Sequence, residues 1–197
     1  MKLLWLDLET TGLDPKEHAV LEVGAIVTDG LTELGRYHAV VSQPPEALAR
    51  MNDFVRDMHT KNGLLDAMKS TATPWPTVAA QLRQFVVKHF APSPVEQETS
   101  NSKPAEWRGR LAGYSAHFDK KWLEALAPEM HELLSHRVFD MSTIRDLYKA
   151  LGVTVPITEA HRSIADCEHA FASFQAYLKL MRVGAAVLDV QAGWRLA

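Results

Sequence analysis

KLLWLDLE, residues 2–9, and VLEVGAIVT, residues 20–28, have the clearest strand patterns in this chain, and the predicted sheet is built on them. In the first segment leucines alternate with other side chains, and this period of two predicts a strand with one buried apolar face. The second segment is apolar over almost its whole length, and the Asp29-Gly30 pair that follows it is a hairpin signal. A third strand is expected at 36–41. The chain therefore begins with a predicted antiparallel meander of three strands.

Helices and strands alternate in the rest of the predicted structure. Short helices are expected within 45–67 and longer ones at 77–90, at 118–126 and at 163–182. A further helix is expected to begin at a cap, Asp140 or Ser142, and to end at 151. The remaining strands are expected at 110–115 and 137–139. This order predicts an α/β fold with a mixed sheet and helices on both faces. We expect a single domain over residues 1–197, in which the polar, proline-bearing segment 91–106 is a mobile surface loop.

Composition is that of an ordinary globular protein. The chain has 197 residues, of which 47% are hydrophobic and 23% charged, and its formal net charge is −3. A negative chain either does not bind long polyanions or binds them locally, with metal ions supplying the positive charge. The single cysteine, Cys167, excludes an intrachain disulfide. The early acidic residues and the lack of a long apolar run predict a cytoplasmic protein without a membrane span.

Five residues form the candidate catalytic set, namely Asp7, Glu9, Asp119, His161 and Asp166. Asp7 and Glu9 are two apart on a predicted strand, so both carboxylates project from one face, and their repulsion favours a cation between them. Carboxylate oxygens are the ligands of Mg²⁺ and Mn²⁺, and two ions ~3.5–4 Å apart can bind the attacking and leaving oxygens of a phosphodiester. A histidine beside them can accept the proton of the attacking water.

Each candidate also has a structural interpretation. The two strand acids could face water at an exposed strand end, and Asp119 could stabilise the first turn of its helix through the helix dipole. Asp166 could complete a capping box with Ser163. His161 lies just before that helix, where a loop histidine is usually only solvated. The joint occurrence of all five residues in this order favours the catalytic interpretation.

The five positions resemble the DEDDh branch of the DEDD 3′→5′ exonuclease superfamily, also called DnaQ-like or RNase H-like exonucleases. Its pattern is D-x-E on the first strand, a middle Asp before a helix, and H-x₄-D near the end. Within this branch the chain is most similar to oligoribonuclease. The similar blocks are WLDLETTGLDP at 5–15, MNDFVRDMHTKNGLLDAMKST at 51–71, GYSAHFDKKWLEALAPE at 113–129 and FDMSTIRDL at 139–147. The second block is the specific one, because most DEDDh exonucleases lack it.

This resemblance implies an RNase H-like mixed sheet and a role for each catalytic position. Asp7, Glu9 and Asp166 would bind a first Mg²⁺ or Mn²⁺ ion, and Asp7 would bridge to a second ion in the same site. Asp119 would bind this second ion, directly or through water. His161 would be the general base.

Substrate contacts are also implied by the resemblance. Leu13 would insert between the last bases, and Phe54 would stack on a base where oligoribonucleases usually have tryptophan. His59 matches a substrate-contacting histidine, and Ser115 a phosphate contact. Oligoribonucleases are homodimers in which a tyrosine reaches across to the partner's site, and at that position this chain has His136.

The sequence therefore predicts a metal-dependent 3′→5′ exoribonuclease that hydrolyses short single-stranded RNA to nucleoside 5′-monophosphates. The alternative is a DNA exonuclease of the same superfamily, of the proofreading or phage type. It stays open because no sequence feature indicates a contact to the 2′-hydroxyl, the group that distinguishes RNA from DNA. A third hypothesis is a catalytically silent nucleic-acid-binding module. The intact set of catalytic residues argues against this third hypothesis, because a binding module has no use for mutually repelling acids.

Overall fold

A mixed sheet with helices on both faces forms the described part of the chain. The computed structural model describes residues 1–91, 109–156 and 160–192, and of residues 183–192 only the helical backbone. The strands are β1 (Lys2–Thr10), β2 (Val20–Asp29), β3 (Thr32–Ser42), β4 (Thr73–Pro74), β5 (Gly109–Gly113) and β6 (Leu134–Asp140). The helices are α1 (Pro45–Leu48), α2 (Asp53–Lys61), α3 (Leu64–Thr71), α4 (Trp75–Phe90), α5 (His117–Leu126), α6 (Pro128–His131), α7 (Met141–Ala150) and α8 (Ser163–Ala192).

Strand β1 lies inside a six-stranded sheet of order β4-β3-β2-β1-β5-β6. It pairs antiparallel with β2, which pairs antiparallel with β3, so the predicted meander is confirmed. On its other side β1 pairs parallel with β5, and β5 with β6. The turn between β2 and β3 contains Gly30 with a φ of 57°, a conformation that glycine adopts without a steric penalty. The Asp29-Gly30 hairpin signal therefore marked the turn correctly.

The two faces of β1 are buried under different helices. Leu4, Leu6 and Leu8 belong to a core cluster that includes residues of α4 and α5. Leu3 and Trp5 point to the opposite face, where they pack in a cluster with residues of α8. The central strand therefore buries both of its faces, and the predicted placement of helices on both sides of the sheet is confirmed.

Several predicted boundaries differ from the structure. Strand β6 begins at Leu134, three residues before the predicted start at 137, because this residue pairs with Gly109 across the sheet. Helix α8 continues to Ala192 instead of ending at 182, because no proline interrupts residues 183–192. Most of the loop predicted at 91–106 lies outside the described residues. Within the described part of the chain, no helix combines the length and the apolar composition that crossing a bilayer requires.

Candidate active site

All five predicted catalytic residues line one cavity. Its volume is about 280 Å³, and Asp7, Glu9, Asp119, His161 and Asp166 are all part of its wall. They reach it from three segments that are distant in sequence: the second half of β1, the first turn of α5, and the segment where the chain enters α8. The fold therefore assembles the set that the sequence pattern predicts.

Three carboxylates form a cluster at the centre of this cavity. Asp7, Glu9 and Asp166 each offer an oxygen, and these oxygens lie within 4.8 Å of one another. Asp119 lies outside this group of three but lines the same cavity, where its Oδ1 accepts a hydrogen bond from the Leu8 amide at 3.0 Å. The described pairing of β5 with β1 ends at Trp5, before Leu8, so β5 does not occupy this amide. The carboxylate of Asp119 is buried against β1, and the helix-dipole interpretation alone does not account for its position.

Crowding and burial shift the ionisation of these acids. Burial, followed by repulsion from Asp7 and Asp166, raises the pKa of Glu9 to about 9. Burial and repulsion from Asp7 likewise raise the pKa of Asp119 well above its usual value. A divalent cation among these oxygens would remove the repulsion and favour the ionised carboxylates. The donor set, which consists of carboxylate oxygens held close together, fits a hard divalent metal ion.

His161 and Asp166 are held by the loop that precedes α8. Asp166 accepts hydrogen bonds from the backbone amides of Ala160, at 2.9 Å, and Arg162, at 3.1 Å. His161 lies between them in the left-handed region, with a φ of 49°. The capping box considered for Ser163 and Asp166 is not formed, because the Ser163 hydroxyl is buried without a hydrogen-bond partner among the described residues and the Ser163 amide donates to Glu22 instead. Asp166 therefore fixes the loop and belongs to the carboxylate cluster at the same time.

The four predicted substrate contacts lie in different environments. Leu13 and Phe54 are 78% and 74% exposed, so both apolar side chains are available to nucleobases. Ser115 is exposed at the cavity wall. His59 is fully buried instead, with Nε2 at 3.1 Å from the Thr10 carbonyl oxygen, and burial lowers its pKa. In this structure His59 supports the end of β1, and its contact with substrate stays a prediction.

Sequence reasoning missed Glu22, a fully buried acid on β2. Its carboxylate accepts hydrogen bonds from His38 at 2.8 Å, from Arg162 at 2.6 Å and from the Ser163 amide at 2.9 Å. Burial alone would raise the pKa of Glu22, but these hydrogen bonds outweigh burial and lower it to about 2. The available signal was a single acid within the apolar segment VLEVGAIV, since a buried charge requires a partner.

Sequence comparison relates the chain to exonucleases. A family model described as Exonuclease (RNase_T) matches residues 4–174. The chain is 31% identical to the oligoribonuclease of Corynebacterium diphtheriae over 172 residues, and this alignment covers 84% of this chain and 76% of that protein. It is 32% identical to the oligoribonuclease of Vibrio parahaemolyticus over 180 residues, and this second alignment covers 85% of this chain and 92% of that protein.

Structural comparison gives the same fold. The structure is similar to E. coli exonuclease I in complex with a dT13 oligonucleotide, with a TM-score of 0.63, 15% identity and 89% of this chain covered. A second similar structure is the zinc-ion-bound E. coli exonuclease I complex with single-stranded DNA, with a TM-score of 0.58, 14% identity and 98% of this chain covered. The chain spans 40% and 41% of the length of these two chains, respectively. The predicted RNase H-like mixed sheet is thereby confirmed.

Proposed function

Because the chain belongs to the exonuclease family, with oligoribonucleases among its relatives, we propose that it is a 3′→5′ exoribonuclease of short single-stranded RNA. One observation carries this proposal. Asp7, Glu9 and Asp166 place oxygens within 4.8 Å of one another, in a cavity that Asp119 and His161 also line. A site of this kind supports hydrolysis of a phosphodiester to a nucleoside 5′-monophosphate.

We propose that the cofactor is Mg²⁺ or Mn²⁺, with two ions per site. Asp7, Glu9 and Asp166 would hold one ion, and Asp119 together with Asp7 would hold the other. When bound, the ions stabilise negative charge on the attacking and leaving oxygens. Burial and repulsion raise the pKa values of Glu9 and Asp119 in the metal-free protein, so metal ions compete with protons for these two carboxylates. Metal affinity is therefore expected to increase with pH.

His161 acts as the general base in this proposal. It lines the cavity beside the carboxylates, where it can accept the proton of the attacking water. The water oxygen forms a bond to phosphorus, and the bond from phosphorus to the 3′-oxygen breaks. The released nucleotide keeps its 5′-phosphate. Water is the nucleophile in this scheme, so no side-chain nucleophile is required.

Exposed apolar residues provide the nucleotide contacts. Leu13 would insert between the last two bases, and Phe54 would stack on one of them. Stacking tolerates any base, so little sequence preference is expected. The net charge of −3 suits a short substrate, because few phosphates are available for a basic surface to bind. We also propose a homodimer, which light scattering tests directly.

Substrate choice is tested by a time course with Mg²⁺. The substrates are 5′-labelled RNA and DNA, each as a dinucleotide and as a longer oligomer. We expect RNA dinucleotides to disappear fastest. Equal shortening of DNA would favour the alternative DNA exonuclease, and binding without turnover would favour the silent module.

Asp7→Ala tests the metal site in the same assay. We expect this variant to lose turnover while it remains folded, because Asp7 belongs to the carboxylate cluster. Asp57→Ala is the matched control, since Asp57 is an exposed acid on α2 that pairs only loosely with Lys61, at 3.9 Å. Turnover near that of the wild type in Asp7→Ala would contradict the metal assignment.

A further inference from the structure

The backbone conformation of His161 requires support from its surroundings. Its φ of 49° lies in the left-handed region, which residues with a Cβ rarely occupy. The hydrogen bonds that hold this segment go to its backbone: the His161 carbonyl accepts one from Asn62, and the amides of Arg162 and Ser163 donate to Asp166 and Glu22. The direction of the imidazole therefore depends on the contacts that fix the backbone on either side of it.

Three side chains outside the carboxylate cluster hold this backbone, and we call Glu22, Asn62 and Arg162 the Glu22 network. Glu22 Oε1 accepts hydrogen bonds from Arg162 Nη2 at 2.6 Å and Nε at 3.0 Å, and Oε2 accepts one from the Ser163 amide at 2.9 Å. The Asn62 side-chain amide donates to the His161 carbonyl. Arg162 Nη1 donates to the Asn62 carbonyl at 3.3 Å. The loop is thereby tied to β2 and to the end of α2.

The Glu22 network can fix this loop whether or not a metal ion is bound. Asp166 also accepts backbone amides of the loop, but its carboxylate lies in the cluster that fits a metal ion. Glu22 faces Glu9 across the β1–β2 pair, yet it is not part of that cluster. Its carboxylate oxygens are occupied by Arg162 and by the Ser163 amide. The network therefore holds the loop through contacts that do not involve the carboxylate cluster.

We propose that Glu22, acting through Arg162 and together with Asn62, is a positioning residue that directs the His161 imidazole toward the attacking water. This inference rests on the proposed function, in which His161 is the general base. None of the three residues of the network needs to touch substrate. Without the network the loop can leave the left-handed conformation, so the imidazole is correctly directed for only part of the time. The exposed apolar residues that bind nucleobases are unaffected.

Kinetics of Glu22→Gln provide the first test. The control is Glu168→Gln. This variant also removes an ion pair between the sheet and α8, because Glu168 pairs with Arg36 on β3, but it leaves the His161 loop unchanged. We expect kcat on a labelled RNA dinucleotide to fall about ten- to hundred-fold in Glu22→Gln, while KM changes less than about three-fold. The control should change neither constant. A parallel loss of kcat and a rise of KM, or an unchanged kcat, would overturn the positioning role.

A double-mutant cycle tests whether the network acts as one unit. Arg162→Gln should reduce kcat about as much as Glu22→Gln, and the double variant should lose no more than the worse single variant. Full additivity of the two losses would contradict joint action. Asn62→Ala removes the hydrogen bond to the His161 carbonyl and leaves the Glu22–Arg162 pair intact, so it decides the question if the buried substitutions prevent folding.

Nuclear magnetic resonance of the metal-free protein gives a readout that is independent of activity. The Cε1–H signal of the His161 ring, assigned by its loss in His161→Ala, should broaden or shift in Glu22→Gln and stay unchanged in Glu168→Gln. An unchanged, sharp His161 signal in Glu22→Gln would overturn the inference. If the wild-type protein hydrolyses neither RNA nor DNA, the proposed function fails, while this measurement still tests whether Glu22 fixes His161.

Discussion

Replacing Glu9 by glutamine should stabilise the metal-free protein at neutral pH, although it removes a metal ligand. The pKa of Glu9 is raised from 4.5 to about 9, mainly by burial and then by repulsion from Asp7. Between these two values the unfolded chain is ionised while the folded protein keeps the proton, so stability falls as pH rises. Each pH unit in this window costs about 1.4 kcal/mol. Glutamine resembles the protonated acid and carries no such cost.

At pH 7.5, about three units above the unfolded pKa, this cost approaches ~4 kcal/mol. Water in the cavity screens part of the repulsion, so we expect Glu9→Gln to gain ~2–4 kcal/mol at this pH. At pH 5 the gain should shrink below ~1 kcal/mol, because this pH lies only about half a unit above the unfolded pKa of 4.5, so ionisation stabilises the unfolded chain only slightly. With Mg²⁺ present the order reverses, since the wild type binds the ion more tightly.

The measurement is urea unfolding in EDTA, followed by circular dichroism at pH 5 and pH 7.5. Glu22→Gln is the matched control of opposite sign, because hydrogen bonds lower the pKa of Glu22 to about 2. The ionised Glu22 carboxylate stabilises the wild-type protein above pH 4.5, and this stabilisation is lost as pH falls toward 2. Glu22→Gln should therefore destabilise the protein at pH 7.5. A Glu9→Gln variant that is no more stable than the wild type at pH 7.5, or whose gain is the same at pH 5, would refute the reasoning.

Further predictions concern substrate contacts, packing and metal binding. Leu13→Ala and Phe54→Ala should each raise KM for an RNA dinucleotide about ten-fold, because a stacked base contributes ~1–3 kcal/mol. Both side chains are exposed, so kcat and the free energy of unfolding should change little. A fall in kcat alone would contradict a binding role. Gly24→Ala should destabilise by ~1–3 kcal/mol and lower kcat, because its Cβ would lie 2.4 Å from the Ser163 backbone. Gly109→Ala is the control, with its nearest contact at 3.4 Å to an aromatic ring. Mg²⁺ binding at pH 7.5 should release protons from the crowded acids, which calorimetry in buffers of different ionisation enthalpy measures; a heat that does not depend on the buffer would contradict the raised pKa values.

Features that depend on a few neighbouring residues were predictable from the sequence. The alternation of residues 2–9 gave β1 and its apolar face, and the pair Asp29-Gly30 gave the first hairpin. Asp140, one of two proposed caps, accepts a hydrogen bond from the Ser142 amide at 2.8 Å. Strand periodicity, turn signals and helix caps are local backbone preferences, so they do not require knowledge of the rest of the chain.

Features that depend on distant segments were not predictable in the same way. The start of β6 at Leu134 follows from its pairing with β5, and the sequence around it contains no signal for this boundary. The burial of His59 is a feature of this kind, because α2 packs so that the imidazole Nε2 lies 3.1 Å from the Thr10 carbonyl oxygen. Glu22 and Asn62 were overlooked because their partners lie near residue 162, far along the chain.

Glu9 and Glu22 are two acids whose positions follow from the local sequence, whereas their ionisation does not. They are cross-strand neighbours in β1 and β2, and the period of two already fixed which face each side chain occupies. Their pKa values differ in direction, about 9 for Glu9 and about 2 for Glu22. Burial acts on both, but Asp7 crowds Glu9, whereas Arg162 donates hydrogen bonds to Glu22. Side-chain direction is a property of the local backbone, but ionisation depends on the charges that folding brings within a few ångströms.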